Sequence, residues 1–256
     1  SALGKGVDYQ DEVFVNAPIQ SYNLGVSGGS EAVRYNIGGS YFGQDGIIKN
    51  SDFNRASFRS NLDIKILSNL SVTTNIIAST IWAAGMPSEG DGGGGTGGIV
   101  HAAVTMPPSV PIYDQNGNYS RTNPTPGGTP TSNPVATANH YTDNNEIDRL
   151  LGSVDLDWEI VRNLALKVTF GTDRSTANRA YYWPKETDRG NSRNGEGYQR
   201  YRNDASYLNE NTLTYNNIFG DHSVNILGGY TWQVFHYKAF NAGSSNYTTD
   251  LYEANN

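Results

Sequence analysis

Cysteine is absent from these 256 residues, which excludes disulfide frameworks, thiolate metal sites and cysteine nucleophiles. Histidine is scarce. His101, His140, His222 and His236 fall at no i, i+4 or other ligand spacing, so the sequence supports no metal site. No G-x-S-x-G or comparable nucleophile motif occurs, and nothing else points to an enzyme or to a cofactor. Excess positive charge is missing too: the formal net charge is −7, which leaves no basic field to gather nucleic acid. Hydrophobic residues amount to only 36%, below the roughly 45–50% (a count that includes glycine) of soluble globular domains. No run approaches the roughly 18 apolar residues of a membrane-crossing helix.

Low hydrophobicity alone reads as disorder, but disordered chains are poor in aromatics, and this one has 17 tyrosines and 29 glycines. A transmembrane barrel reconciles the two. Only alternate residues of its strands meet lipid, so mean hydropathy stays low while Tyr and Trp gather at the interfaces. The alternation is explicit in Arg55–Ile66. Ala56, Phe58, Ser60, Leu62, Ile64 and Ile66 make one face; Arg55, Ser57, Arg59, Asn61, Asp63 and Lys65 make the other. Similar segments centre on residues 22–27, 34–41, 70–78, 150–160, 164–170, 205–217 and 224–234, giving about eight strands.

Connection lengths alternate as well. Tight turns are expected at Gly28–Glu31, Leu67–Asn69, Val161–Asn163 and Phe219–His222, and longer links at 43–54, about 82–148 and about 174–204. Short periplasmic turns and long extracellular loops are the outer-membrane barrel arrangement. Two rivals stay open: a passive porin-like channel, and a soluble all-β carbohydrate-binding protein.

The motifs gain specificity in order. Asp8–Phe14 precedes Ala17–Leu24, then Val26–Glu31 and Tyr41–Ile48, and further on Leu213–Tyr215 and Phe219–Asn225. Together they resemble the barrel of SusC/RagA-type TonB-dependent receptors of Bacteroidetes-like bacteria. The resemblance implies an all-β fold, a partial antiparallel barrel of about eight strands out of about 22 around a plugged lumen. It also implies a cell outer-membrane location, contact with lipid, import of a glycan or peptide driven by the TonB complex, and a SusD-like lipoprotein over the barrel. Residues 1–256 then read as barrel domain alone, cut at both ends, with no plug domain, TonB box, signal peptide or closing strand.

Several smaller features are weighed against plainer readings. The glycine run from Gly90 to Gly98 lacks the G-K-[ST] ending of a phosphate loop and reads as a flexible connection. Asp114–Asn118 partly mimics a calcium loop but lacks its final acidic residue, and Asn-Gly reads first as a turn. Asp155, Asp157 and Glu159 share one strand face at a spacing that does not exclude acid/base chemistry. With Arg55, Arg59, Lys65 and Lys167 nearby, wall charges are the simpler account. Tyr181, Tyr182 and Trp183, beside four arginines in the expected 174–204 loop, and Trp82 at the mouth of the longest loop, are the candidate substrate-binding residues. Aromatic platforms suit sugar rings; an aromatic collar at the membrane edge is the plainer reading.

Overall fold

The computed structural model describes residues 6–88, 98–121 and 131–255. Eight strands form a single antiparallel sheet in strict sequence order: β1 (Ile19–Gly29), β2 (Val33–Asp45), β3 (Asp52–Leu67), β4 (Leu70–Ala84), β5 (Thr142–Val161), β6 (Leu164–Trp183), β7 (Glu196–Phe219) and β8 (His222–Ser245). β1 and β8 are its two edges. All four tight turns fall where expected, and the β5–β6 turn is closed by Asn163 at φ 73°.

The strands run further than the alternation indicates. β6 continues to Trp183 and β7 starts at Glu196, so the link between them is 184–195 rather than 174–204. Similarly β4 continues to Ala84 and β5 starts at Thr142, narrowing the longest link to 85–141. At 20 residues and about 3.3 Å each, β5 is roughly 66 Å long, far more than the 9–11 or so residues of a tilted crossing. Beyond the apolar stretch both faces are polar. The hydrophobic period vanishes there while the backbone ladder continues.

Register keeps one parity on one face throughout. Leu62, Thr74, Val154, Phe170, Asn209 and Trp232 are consecutive partners across six strands, as are Ile64, Val72, Leu156, Val168, Asn211 and Tyr230. On this apolar face Phe58, Val154, Phe170 and Trp232 are all exposed. The opposite, polar face is an ordered hydrogen-bond lattice. Asp63, Thr73, Asp155, Thr169, Glu210 and Thr231 form one row across it. Within that row Thr73 donates to Asp63 (2.8 Å), Thr169 to Asp155 (2.6 Å) and Thr231 to Glu210 (3.2 Å). In the row beside it Asn61 donates to Asn75 (2.7 Å), which donates to Ser153 (3.3 Å).

Among the described residues, the clusters of buried hydrophobic side chains lie at the end of the sheet with the long links. α1 (Tyr9–Val13), α2 (Ile99–Thr105) and α3 (Pro134–His140) meet there with the β2–β3 link. Val13, Ile48, Ile99, Ala103 and Ala138 form one cluster; Tyr9, Met106 and Val135 form another. Asn133, buried, caps α3 through Val135 N–H (3.0 Å) and donates to the carbonyls of Ile112 and Ser120. Its own N–H donates to Asp188 (2.9 Å), the first residue of α4 (Asp188–Arg193), so the two longer links are pinned to each other. The run from Gly90 to Gly98 lies outside the described residues except for Gly98.

Candidate functional site

The four expected aromatics divide between the faces. Tyr181 and Trp183 fall on the polar face; Tyr182 and Trp82 fall on the other. Period two dictates this, because Trp82 shares parity with Ile76 and Ala78, and Tyr182 lies between its neighbours. Tyr182 is fully buried. Its hydroxyl donates to Asp250 and its ring meets Tyr247 edge-on at 5.2 Å, holding the segment after β8 against the sheet. Gly195 and Gly197 make that closure possible. Gly195 sits at φ +85°, and a Cβ on Gly197 would come within 2.5 Å of the Tyr247 hydroxyl.

On the polar face near the long links, Tyr181 stacks on Tyr198 with ring centres 5.2 Å apart, an arrangement that sequence reading did not identify. The Arg179 guanidinium lies 5.6 Å from the Tyr181 ring. Arg179 also grips Asp143 through two nitrogens, the Nε contact being 2.7 Å, and Asp143 is only 7% exposed. The Tyr141 hydroxyl donates to the same carboxylate at 3.3 Å, and its ring packs on Trp183 at 4.4 Å. Burial beside that carboxylate pushes the Tyr141 phenol well above its ordinary value. The Arg189 guanidinium lies over the Trp183 ring at 5.1 Å and is bonded to Glu196 at 2.7 Å. The result is an aromatic shelf edged by guanidinium groups, and the nearest arginines and acids are already paired. Such a shelf suits stacking of planar or ring-shaped groups and hydrogen bonding at its margins.

Asp155, Asp157 and Glu159 do project from one face. Lys167 lies 3.8 Å from Asp155 and 3.9 Å from Asp157, and Thr169 donates to Asp155. Asp157, Glu159 and Lys167 line a mixed-charge basin of about 650 Å³ at the tight-turn end, together with Glu31, Arg34, Asp63 and Lys65. The Asp155 and Asp157 carboxylates are held by neighbours of the wall itself. At Asp114 one oxygen accepts the amides of Asn116 (2.8 Å) and Asn118 (2.9 Å), which lowers its pKa. This is a capped turn. Among the described residues no group of three or more His, Asp or Glu is placed to hold a metal ion.

No family model matches the chain. Curated proteins of Formosa agariphila do, among them two receptors. TonB-dependent receptor P3 is 31% identical over 244 residues, and TonB-dependent receptor P26 is 28% identical over 252. The alignments cover 95% and 97% of this chain but 24% of each relative, so the chain spans about a quarter of their length. A chain of the RagAB peptide transporter superposes with a TM-score of 0.77 at 23% identity, covering 98% of this chain and 28% of that one. The RagAB peptide importer in its closed-closed state gives 0.72 at 22% identity. These relatives are receptors and transporters, not enzymes. With its two-faced sheet, tight turns at one end and long links at the other, the chain is similar over nearly its whole length to a stretch of TonB-dependent receptors and has the fold of a stretch of RagA-type barrel wall.

Proposed function

We propose that this wall belongs to an outer-membrane importer of oligomeric nutrients, peptide or glycan, in a Gram-negative, Bacteroidetes-like cell. The apolar face meets lipid and the polar face lines the lumen. The TonB complex drives transport, and a SusD-like surface lipoprotein covers the mouth. The links 85–141 and 184–195 lie on the extracellular side, and the tight turns lie on the periplasmic side. Tyr181 and Trp183 are the two expected site residues that face a passing substrate; Tyr182 and Trp82 are turned away from it.

The observation that carries this reading is the separation of faces through the apolar band. The polar one is charged and hydrogen-bonded along its length, as a water-filled lumen requires, and the other carries the apolar band. Peptide as the cargo is supported by the name of the RagAB transporter, whose fold this wall shares. The test is uptake of a fluorescent oligopeptide and a fluorescent oligosaccharide by cells carrying the intact receptor. Uptake of one probe should require TonB and should weaken about tenfold when Tyr181 and Trp183 are both replaced by alanine, the loss of roughly 1.4 kcal/mol of stacking. Full uptake without TonB would assign a passive channel instead.

A further inference from the structure

The apolar face changes character toward the long links. Its last apolar row includes Tyr207 and Val234. In the next row Leu150, Arg174, Ala205 and His236 are consecutive partners, and in the row after that Asp148, Thr176, Asn203 and Lys238. Arg174, His236 and Lys238 are exposed, and among the described residues none of the three pairs with a carboxylate. The acids on this part of the face, Asp45, Asp52, Glu146 and Asp148, stand on β2, β3 and β5, whereas the bases stand on β6 and β8. Arg174 and His236 are two strands apart, about 10 Å.

One row further on, Trp82, Glu146, Asn178, Tyr201 and Phe240 are consecutive partners across five strands. They line a groove of about 560 Å³ together with Asn144 and Gln199. Trp82 is 44% exposed and Phe240 59%, which is costly for rings facing only water. Aromatic rings interleaved with carboxamides are the chemistry that holds a sugar: the rings cover its C–H face while the amides meet its hydroxyls. Free cations at the border of the apolar band are the chemistry that holds a phosphate.

We propose that this outward face is a binding site for a phosphorylated glycolipid of the outer leaflet. Acyl chains lie against the apolar band, phosphates meet Arg174 and Lys238 with His236 as a further donor, and the sugar rests in the groove on Trp82, Tyr201 and Phe240. The unpaired cations beside the apolar band select this occupant over a neutral lipid. The inference rests on the barrel reading but not on what is imported, and its test leaves transport aside.

Native mass spectrometry of the intact receptor in detergent, titrated with diphosphoryl lipid A, dephosphorylated lipid A or phosphatidylglycerol, reads the site directly. Diphosphoryl lipid A should bind tightest, and Arg174→Gln with Lys238→Gln should weaken it about tenfold per cation removed. Those two substitutions should leave dephosphorylated lipid A unaffected. Trp82→Ala should weaken both glycolipids and spare phosphatidylglycerol. Heat-modifiable migration on gels confirms that each variant is folded. Equal binding of all three lipids, or glycolipid binding indifferent to these substitutions in folded receptor, overturns the proposal, whatever the uptake assays report.

Discussion

Replacing Arg179 with methionine isolates one buried charge. In the native structure Asp143, 7% exposed, receives two guanidinium N–H bonds and the Tyr141 hydroxyl. The substitution keeps most of the side chain's apolar stem and leaves a carboxylate with a single donor. Losing a buried ionic partner costs about 3–5 kcal/mol when both charges are enclosed. The Arg179 side chain is 47% exposed, so water screens the pair and also reaches the vacated space. About 2 kcal/mol is the appropriate figure for a charged hydrogen-bonded contact so placed. The strain falls on the start of β5, where Gly85 N–H donates to the Asp143 carbonyl and Tyr141 packs on Trp183. That is the anchor of the 85–141 link.

The expected result is therefore local. Opening of residues 131–141, followed by amide hydrogen exchange in the intact receptor, should become about 30-fold more populated, with strands β6 and β7 unchanged. Adding Asp143→Asn should restore more than half of the loss, since the neutral amide still accepts from Tyr141 and no longer needs a cation. If the two substitutions add within about 0.5 kcal/mol, or exchange is unchanged in Arg179→Met, the carboxylate is not held as described and the reasoning fails.

Three further outcomes are expected. Gly195→Ala forces an L side chain to φ +85° with its Cβ 2.5 Å from the Tyr182 hydroxyl; protease cleavage within 184–195 should accelerate at least tenfold, about 1.4 kcal/mol of strain. Leu156→Arg places a cation in the apolar band and should cost about 2–4 kcal/mol in folding into vesicles, read by urea titration, whereas Thr73→Arg on the polar face should cost under about 1 kcal/mol. The raised phenol of Tyr141 favours its neutral form in the folded chain, so its contribution is whole below about pH 10, the unfolded value, and falls as pH rises further. Alkaline titration should expose the 131–141 segment to exchange in that range, and Tyr141→Phe should flatten the response.

The sheet was legible because its signal is local. Phe58, Leu62 and Ile64 alternate with Arg59, Asp63 and Lys65, and the turn residues stand where pairing demands. Strand ends were not legible, since Thr142–Asp148 and Ser175–Trp183 are polar or mixed on both faces and only the ladder with their neighbours makes them strand. The faces of Trp82 and Tyr182 were available from parity, yet treating 174–204 as a loop concealed them. The Tyr181–Tyr198 stack depends on register between β6 and β7, and the rim clusters on contacts such as Val13 with Ala138; neither leaves a trace in composition.

The row of alternating acid and threonine across β3 to β8 acts as a registration mark. A strand slipped by one residue is rejected by lipid, because it turns its apolar set inward. A slip by two residues passes that check, since every side chain keeps its face. Only pair identity exposes it: Thr73 would lose Asp63 and Thr169 would lose Asp155. A wall assembled hairpin by hairpin thus proofreads each addition twice, once with the membrane and once with its own hydroxyls.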